Sequence, residues 1–188
     1  MDIVLETDRL VLRRFTAADL DHLVELDSDP DVMRLLTGGV PTPREKIENE
    51  LLPRILDEYT RPPGWGRWAA VEKSSGAFVG WFSLDPPKDD REGLELGYRL
   101  RREAWGNGYA TEGSRALIDK AFADEGVHRV FAETMAVNAA SRRVMENVGM
   151  RHVRTFHVTW DDPIEGTEQG EVEYEVLRAD RKVVPSAE

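Results

Sequence analysis

The chain has 188 residues, 40% of them hydrophobic and 32% charged, enough for one sizeable core in a globular domain. With 25 Lys and Arg against 36 Asp and Glu its net charge is −11, which disfavours nucleic acid as a main partner because phosphate binding needs a basic surface. The absence of Cys excludes disulfides, zinc–thiolate sites and a Cys nucleophile, while the charged N-terminus and the lack of a long apolar run predict no signal peptide or membrane span, and hence a cytoplasmic location.

Residues 1–188 read as one domain. Thr16-Ala17-Ala18-Asp19 has the pattern of a capping box, and Leu20, Leu23, Val24 and Asp27 continue a helix from it. Residues 29–43 contain Pro30, Gly38, Gly39, Pro41 and Pro43 and predict a loop or a short helix. Arg44 to Tyr59 reads as helical, kinked or split at Pro53. After a Pro/Gly break at 61–66, Arg67 to Lys73 and Ala77 to Leu84 form a hairpin around Ser74-Ser75-Gly76. Asp85 to Glu92 is a polar turn. Leu94, Leu96, Tyr98 and Leu100 then alternate with polar residues and Gly97 as a strand.

Trp105-Gly106-Asn107-Gly108-Tyr109-Ala110-Thr111-Glu112 follows that strand, and Ser114, Leu117, Ile118, Ala121 and Phe122 continue at helical spacing up to the stop signal Gly126. A helix start exposes unpaired N–H groups and the positive end of the helix dipole, so a bare Gly turn there is a candidate pyrophosphate cradle. The competing reading is a structural turn without ligand. No Gly-Lys-Ser/Thr follows, which excludes the nucleoside-triphosphate loop, and Thr111 stands where the dinucleotide fingerprint has its third Gly. A second strand spans Val130 to Val137 and leads into Asn138-Ala139-Ala140-Ser141 and a helix ending at Gly149-Met150. Arg151 to Trp160 and Glu171 to Leu177 are the last strands.

Together, Glu95-Leu96-Gly97-Tyr98, the Trp105–Glu112 turn, and Asn138-x-x-Ser141 before a helix ending in Gly149-Met150 resemble the GCN5-related N-acetyltransferases (GNAT), specifically the branch that acetylates ribosomal-protein N-termini and other amines. Glu6 to Arg13 matches that family's usual opening strand, and the likeness covers about residues 6–178. It implies an α/β (α+β) fold, a mixed, mostly antiparallel sheet of about seven strands flanked by helices, with a splayed parallel strand pair. Acetyl-CoA is the implied cosubstrate and no metal is implied. The pantetheine arm would pair with Tyr98 to Arg101, Leu100 and Arg101 included, and with the strand ending at Val137. The pyrophosphate would lie on Gly106, Asn107, Gly108, Tyr109, Ala110 and Thr111. Asn138 has two compatible roles, helix N-cap and coenzyme contact.

The implied chemistry is direct attack of a primary amine, from a protein N-terminus or a small molecule, on the thioester. It asks for orientation, proton removal, oxyanion stabilisation and help for the departing thiolate. Glu95 is the preferred base, directly or through water; Glu133 and solvent are alternatives. Where many relatives carry a Tyr in the second motif helix, this chain has Met145, so Ser141 is the substitute that faces the thiolate. The missing Tyr also supports a different reading, a non-catalytic acyl-CoA-binding regulatory module. Met145, Val144 and Val148 read as core; Trp68 and Trp81 read as core or pocket wall, Trp65 as pocket wall, and Trp105 as packed beneath the Gly turn. Arg99, Arg101, Arg102, Arg142 and Arg143 form either a basic patch for coenzyme phosphates or solvated surface. The acidic run Asp161, Asp162, Glu165, Glu168, Glu171, Glu173 and Glu175 reads as a solvated segment, with attraction of a cationic amine as the sharper alternative. Relatives of this type are often homodimers.

Overall fold

The computed structural model describes residues 2–60, 65–87, 89 and 91–181. It contains an eight-stranded sheet in the order β1-β2-β3-β4-β5-β6-β8-β7. The strands are β1 (Ile3–Glu6), β2 (Leu10–Arg13), β3 (Gly66–Glu72), β4 (Phe78–Asp85), β5 (Leu94–Leu100), β6 (Arg129–Met135), β7 (Arg151–Phe156) and β8 (Glu171–Leu177). All neighbouring pairs are antiparallel except β5 and β6. Eight strands rather than about seven result because the expected opening strand folds back on itself. The Thr7 N–H donates to Leu10 C=O at 2.9 Å and the Leu10 N–H to Thr7 Oγ1 at 2.8 Å, closing a turn between β1 and β2.

The helices are α1 (Leu20–Ser28), α2 (Pro30–Thr37), α3 (Arg44–Lys46), α4 (Leu52–Glu58), α5 (Tyr109–Ala123) and α6 (Ala139–Asn147). Asp19 enters α1 through a carboxylate that accepts the Thr16 N–H at 2.8 Å. Pro30 does not prevent α2: it stands in the first turn, where a missing N–H costs nothing, and Asp29 caps it. Between α3 and α4, Ile47–Leu51 forms a π turn in which the Leu52 N–H reaches back to Ile47 C=O. The extra residue lets the chain pass Pro53 without breaking. The Pro/Gly break at 61–66 lies largely outside the described residues, as does part of the 85–92 turn. β7 stops at Phe156, short of Trp160.

The sheet separates two apolar layers. Leu10, Leu12, Trp68, Phe82, Leu96, Leu100 and Val130 face α5 and α6, which contribute Leu117, Ile118, Ala121 and Met145, with Val148 just past the end of α6. Phe15, Ala69, Phe78 and Trp81 face α1, α2 and α4, which contribute Leu23, Leu26, Val32, Leu52 and Ile55. β4 is buried on both faces, as its continuous apolar run requires. Gly113 lets α5 approach, since a Cβ there would lie 2.3 Å from the Phe82 ring. Among the described residues no helix is long and apolar enough to cross a membrane.

Candidate active site

The site begins where β5 and β6 part. Their parallel pairing covers Leu94 with Val130 and Glu95 with Phe131 and extends no further. Beyond it the two strand edges diverge and leave backbone groups facing a cleft. The Arg101 N–H donates to Val79 C=O at 3.0 Å on the β4 side. By the alternation of an antiparallel ladder, the peptide groups of Tyr98 and Leu100 point the other way, into the cleft. The Trp105 indole donates to the Leu100 carbonyl at 2.9 Å. The backbone and side chain of Arg101 have partners within the protein: its N–H donates to Val79 C=O, its carbonyl accepts from Ala104, and its guanidinium pairs with Glu25.

The Gly turn lies at the wide end of this cleft. Gly106 (φ 75°) and Gly108 (φ 81°) adopt left-handed backbone that a side chain would strain. The first hydrogen bond into α5 runs from the Glu112 N–H to Gly108 C=O at 3.0 Å, so Tyr109, Ala110 and Thr111 carry N–H groups without an intrahelical acceptor. A Cβ at Gly106 would meet nothing within 4 Å, so space lies open over the turn. These features fit a pyrophosphate. Side chains of the turn serve to hold it. Asn107 Nδ2 donates to the carbonyls of Glu103 and Trp105, both at 3.2 Å, and the Tyr109 hydroxyl donates to Glu72. Trp105 is 48% exposed, not packed beneath the turn.

Sequence reasoning gave no role to Arg9 and Glu112, which lock this turn in place. Glu112 accepts from Thr7 Oγ1 at 2.6 Å, from the Arg9 N–H at 2.9 Å and from Arg9 Nε at 2.7 Å. Arg9 also donates to Asn107 C=O at 2.9 Å and stacks over the Tyr109 ring at 4.7 Å. Burial works against the charge of Glu112, but Thr7 and Arg9 outweigh it and hold the carboxyl below its ordinary 4.5. The one local signal in the sequence is the acid itself, placed in the first turn of α5, where the helix dipole favours it.

Asn138 and Ser141 stand at the start of α6, on the α5 side of the sheet. Asn138 Oδ1 accepts the Ser141 N–H at 3.1 Å, while its Nδ2 donates to Thr134 Oγ1 at 3.0 Å. Its oxygen caps α6, and one amide N–H is taken by Thr134. The Ser141 hydroxyl meets the Tyr98 hydroxyl at 2.9 Å. Burial raises the Tyr98 phenol above 10, and the Ser141 bond partly offsets that rise. Met145 is 3% exposed and fully part of the core.

Glu95 is partly exposed and lies opposite Asp85 in the register, on the face that carries Trp81 and Arg99. Ser141 adjoins the other face, so the two residues flank the cleft from opposite sides of the sheet rather than touching one another. Glu133 pairs with Arg91, which also reaches Glu173 at 3.3 Å. The arginines read as either a basic patch or solvated surface are instead engaged singly: Arg99 pairs with Asp27, Arg102 with Asp31 at 3.0 Å, and Arg142 bonds Tyr174 at 3.2 Å and Ala136 C=O at 3.1 Å. Arg67 and Arg99 stack on Trp81 at 4.1 and 5.4 Å. The acidic run is likewise divided. Glu173 and Glu175 are neutralised by Arg129, Arg151 and Arg154. Glu171, half-buried and near Glu133, is pushed above its ordinary 4.5 by burial and by that neighbour.

Comparison with known proteins identifies the family and the fold. Residues 9–151 match the family described as Acetyltransferase (GNAT) domain. The FsC-acetyl coenzyme A-N(2)-transacetylase of Aspergillus fumigatus is 38% identical over 182 residues, 93% of this chain and 76% of its own length. A GNAT-family acetyltransferase structure from Bacillus anthracis superposes with a TM-score of 0.74 at 25% identity, over 94% of this chain and 98% of its own. The ribosomal L7/L12 α-N-protein acetyltransferase RimL in complex with coenzyme A shares the fold, with a TM-score of 0.77 at 15% identity, over 94% and 98% of the two chains. The chain belongs to the GNAT acetyltransferases, enzymes that acetylate amines.

Proposed function

We propose that this protein is an acetyl-CoA-dependent N-acetyltransferase that moves the acetyl group to a primary amine on a small molecule by direct attack. The observation that carries the reading is the β5–β6 cleft beside the N–H groups of Tyr109, Ala110 and Thr111 that α5 leaves without an acceptor. In it, Leu100 and Tyr98 supply the strand edge for the pantetheine arm, and Gly106 to Thr111 bind the pyrophosphate through backbone N–H groups. Glu95 accepts the amine proton from one side of the sheet and Ser141 hydrogen-bonds the thiolate from the other. The small-molecule acceptor is favoured over a protein N-terminus by the fungal relative, whose name specifies transfer to an N(2) position.

The buried Met145 favours a second reading, an acyl-CoA-binding module without turnover. Thiol release from acetyl-CoA across a panel of small amines and N-terminal peptides separates the two. Turnover with a small amine, reduced on the order of 100-fold in kcat/KM by Glu95→Gln, is the expected result. Coenzyme binding with no turnover on any acceptor supports the module instead.

A further inference from the structure

Ser141 is a poor acid by itself, because an alcohol holds its proton far more tightly than a thiol does. Position 145, one turn further along α6, carries a buried Met that has no proton to give. Yet a phenol reaches Ser141 from another element. Tyr98 stands on β5 beyond the last β5–β6 pair, Glu95 with Phe131, and its hydroxyl lies 2.9 Å from Ser141 Oγ. Its ring is held against Phe82 at 5.9 Å, and Ser141 is held by the Asn138 cap at 3.1 Å. Both members of the pair are therefore positioned by rigid elements.

We infer that Tyr98 and Ser141 form a proton-delivery pair for the departing coenzyme A thiolate. The inference rests on the acetyl-transfer reading above. When the C–S bond breaks, its electron pair stays on sulfur. Sulfur takes the proton of Ser141 Oγ, Ser141 takes the proton of Tyr98, and the phenolate recovers one from water. A hydroxyl has one donor and two acceptor sites, so Ser141 can accept from Tyr98 and donate to sulfur at once. Even a phenol held above its ordinary 10 is matched to a thiol near 8.5 far better than an alcohol is. Burial keeps Tyr98 protonated through neutral pH. Among the described residues no charged side chain on β4 or α6 acts on it; Arg99, next in β5, is turned to Asp27 on the other face. Tyr98 acts through Ser141 and is a positioning and proton-supplying residue, not one that touches sulfur.

The test compares Tyr98→Phe, Ser141→Ala and the double variant, with the best amine found. Each single change is expected to lower kcat by on the order of 100-fold while leaving the KM for acetyl-CoA and the coenzyme A-induced rise in Tm near wild type. The double variant should be no worse than the more impaired single, because the two act as one unit. A readout independent of turnover is the alkaline tyrosinate absorbance. Tyr98→Phe should remove one transition, and Ser141→Ala should move that transition to higher pH. Wild-type kcat in Tyr98→Phe, or losses that multiply in the double variant, would overturn the pair while the acetyltransferase reading stands. A wild-type protein that turns over no amine would overturn both.

Discussion

Ser114 shows how a single side chain can be fitted to its helix and still lack a partner. It is completely buried on α5, and its hydroxyl has no hydrogen-bond partner among the described residues. An unsatisfied buried hydroxyl costs about 1–3 kcal/mol. Ser114→Ala should therefore leave stability unchanged or raise it by about 1 kcal/mol in chemical denaturation; a clear loss would mean the hydroxyl has a partner. Gly113, beside it, has the opposite sensitivity. A Cβ would enter the Phe82 ring, so Gly113→Ala should cost about 1–3 kcal/mol by overpacking, read in the same denaturation experiment. At this scale the sequence was legible for backbone and unreliable for side chains. Asn138, Gly106 and Gly108 could be placed because caps and left-handed turns have strong local signatures. The side-chain partners of Arg101 and Trp105, Glu25 and the Leu100 carbonyl, could not, because they are set by the packing of other segments.

The element that matters most is the turn into α5, whose position depends on the β1–β2 turn. Glu112 gathers Thr7 and Arg9, and Arg9 in turn holds Asn107 and Tyr109. Removing the carboxylate frees both turns. Glu112→Ala should cost on the order of 1–3 kcal/mol and raise the KM for acetyl-CoA more than it lowers kcat, since the lost order lies in the cradle rather than beside the reacting atoms. Steady-state kinetics with varied acetyl-CoA check this; an unchanged KM would place the cradle elsewhere. Helices with periodic apolar faces and the strands with alternating patterns were readable along the chain. The π turn at Ile47–Leu51 was not, because Pro53 signals an interruption without specifying how the backbone absorbs it. The strand carrying Glu171, Glu173 and Glu175 was readable, but its charges looked solvated; the carboxylates of Glu173 and Glu175 instead meet Arg129, Arg151 and Arg154 across the sheet, partners on other strands that the local sequence does not reveal.

Across the whole molecule, the same ion pairs set how stability responds to pH. Asp19, Glu112 and Glu173 are each penalised by burial, but Arg13 with Thr16, Thr7 with Arg9, and Arg154 with Arg129 outweigh the penalty and depress them below 3.8, 4.5 and 4.5. A depressed carboxyl contributes stability that is present above its unfolded value and is lost as pH falls through its folded value. Glu58 and Glu171, raised mainly by burial, act in the opposite sense and are relieved on acidification. With the depressed groups dominant, the denaturation midpoint should hold from about pH 7 to about 5 and fall below about pH 4. A midpoint that rises on acidification would show that the buried, raised carboxyls govern instead. In the proposed mechanism the two chemical tasks fall on opposite sides of one cleft, since Glu95 lies on the face of Trp81 and Ser141 on the face of α5. The most direct measurement of that account is acetylation of a small amine by the wild-type protein, followed as thiol release and as acetylated product by mass spectrometry. The account predicts one product per thiol released, dependent on the amine and strongly reduced by Glu95→Gln; thiol release that ignores the amine, or none despite coenzyme A binding, would contradict it.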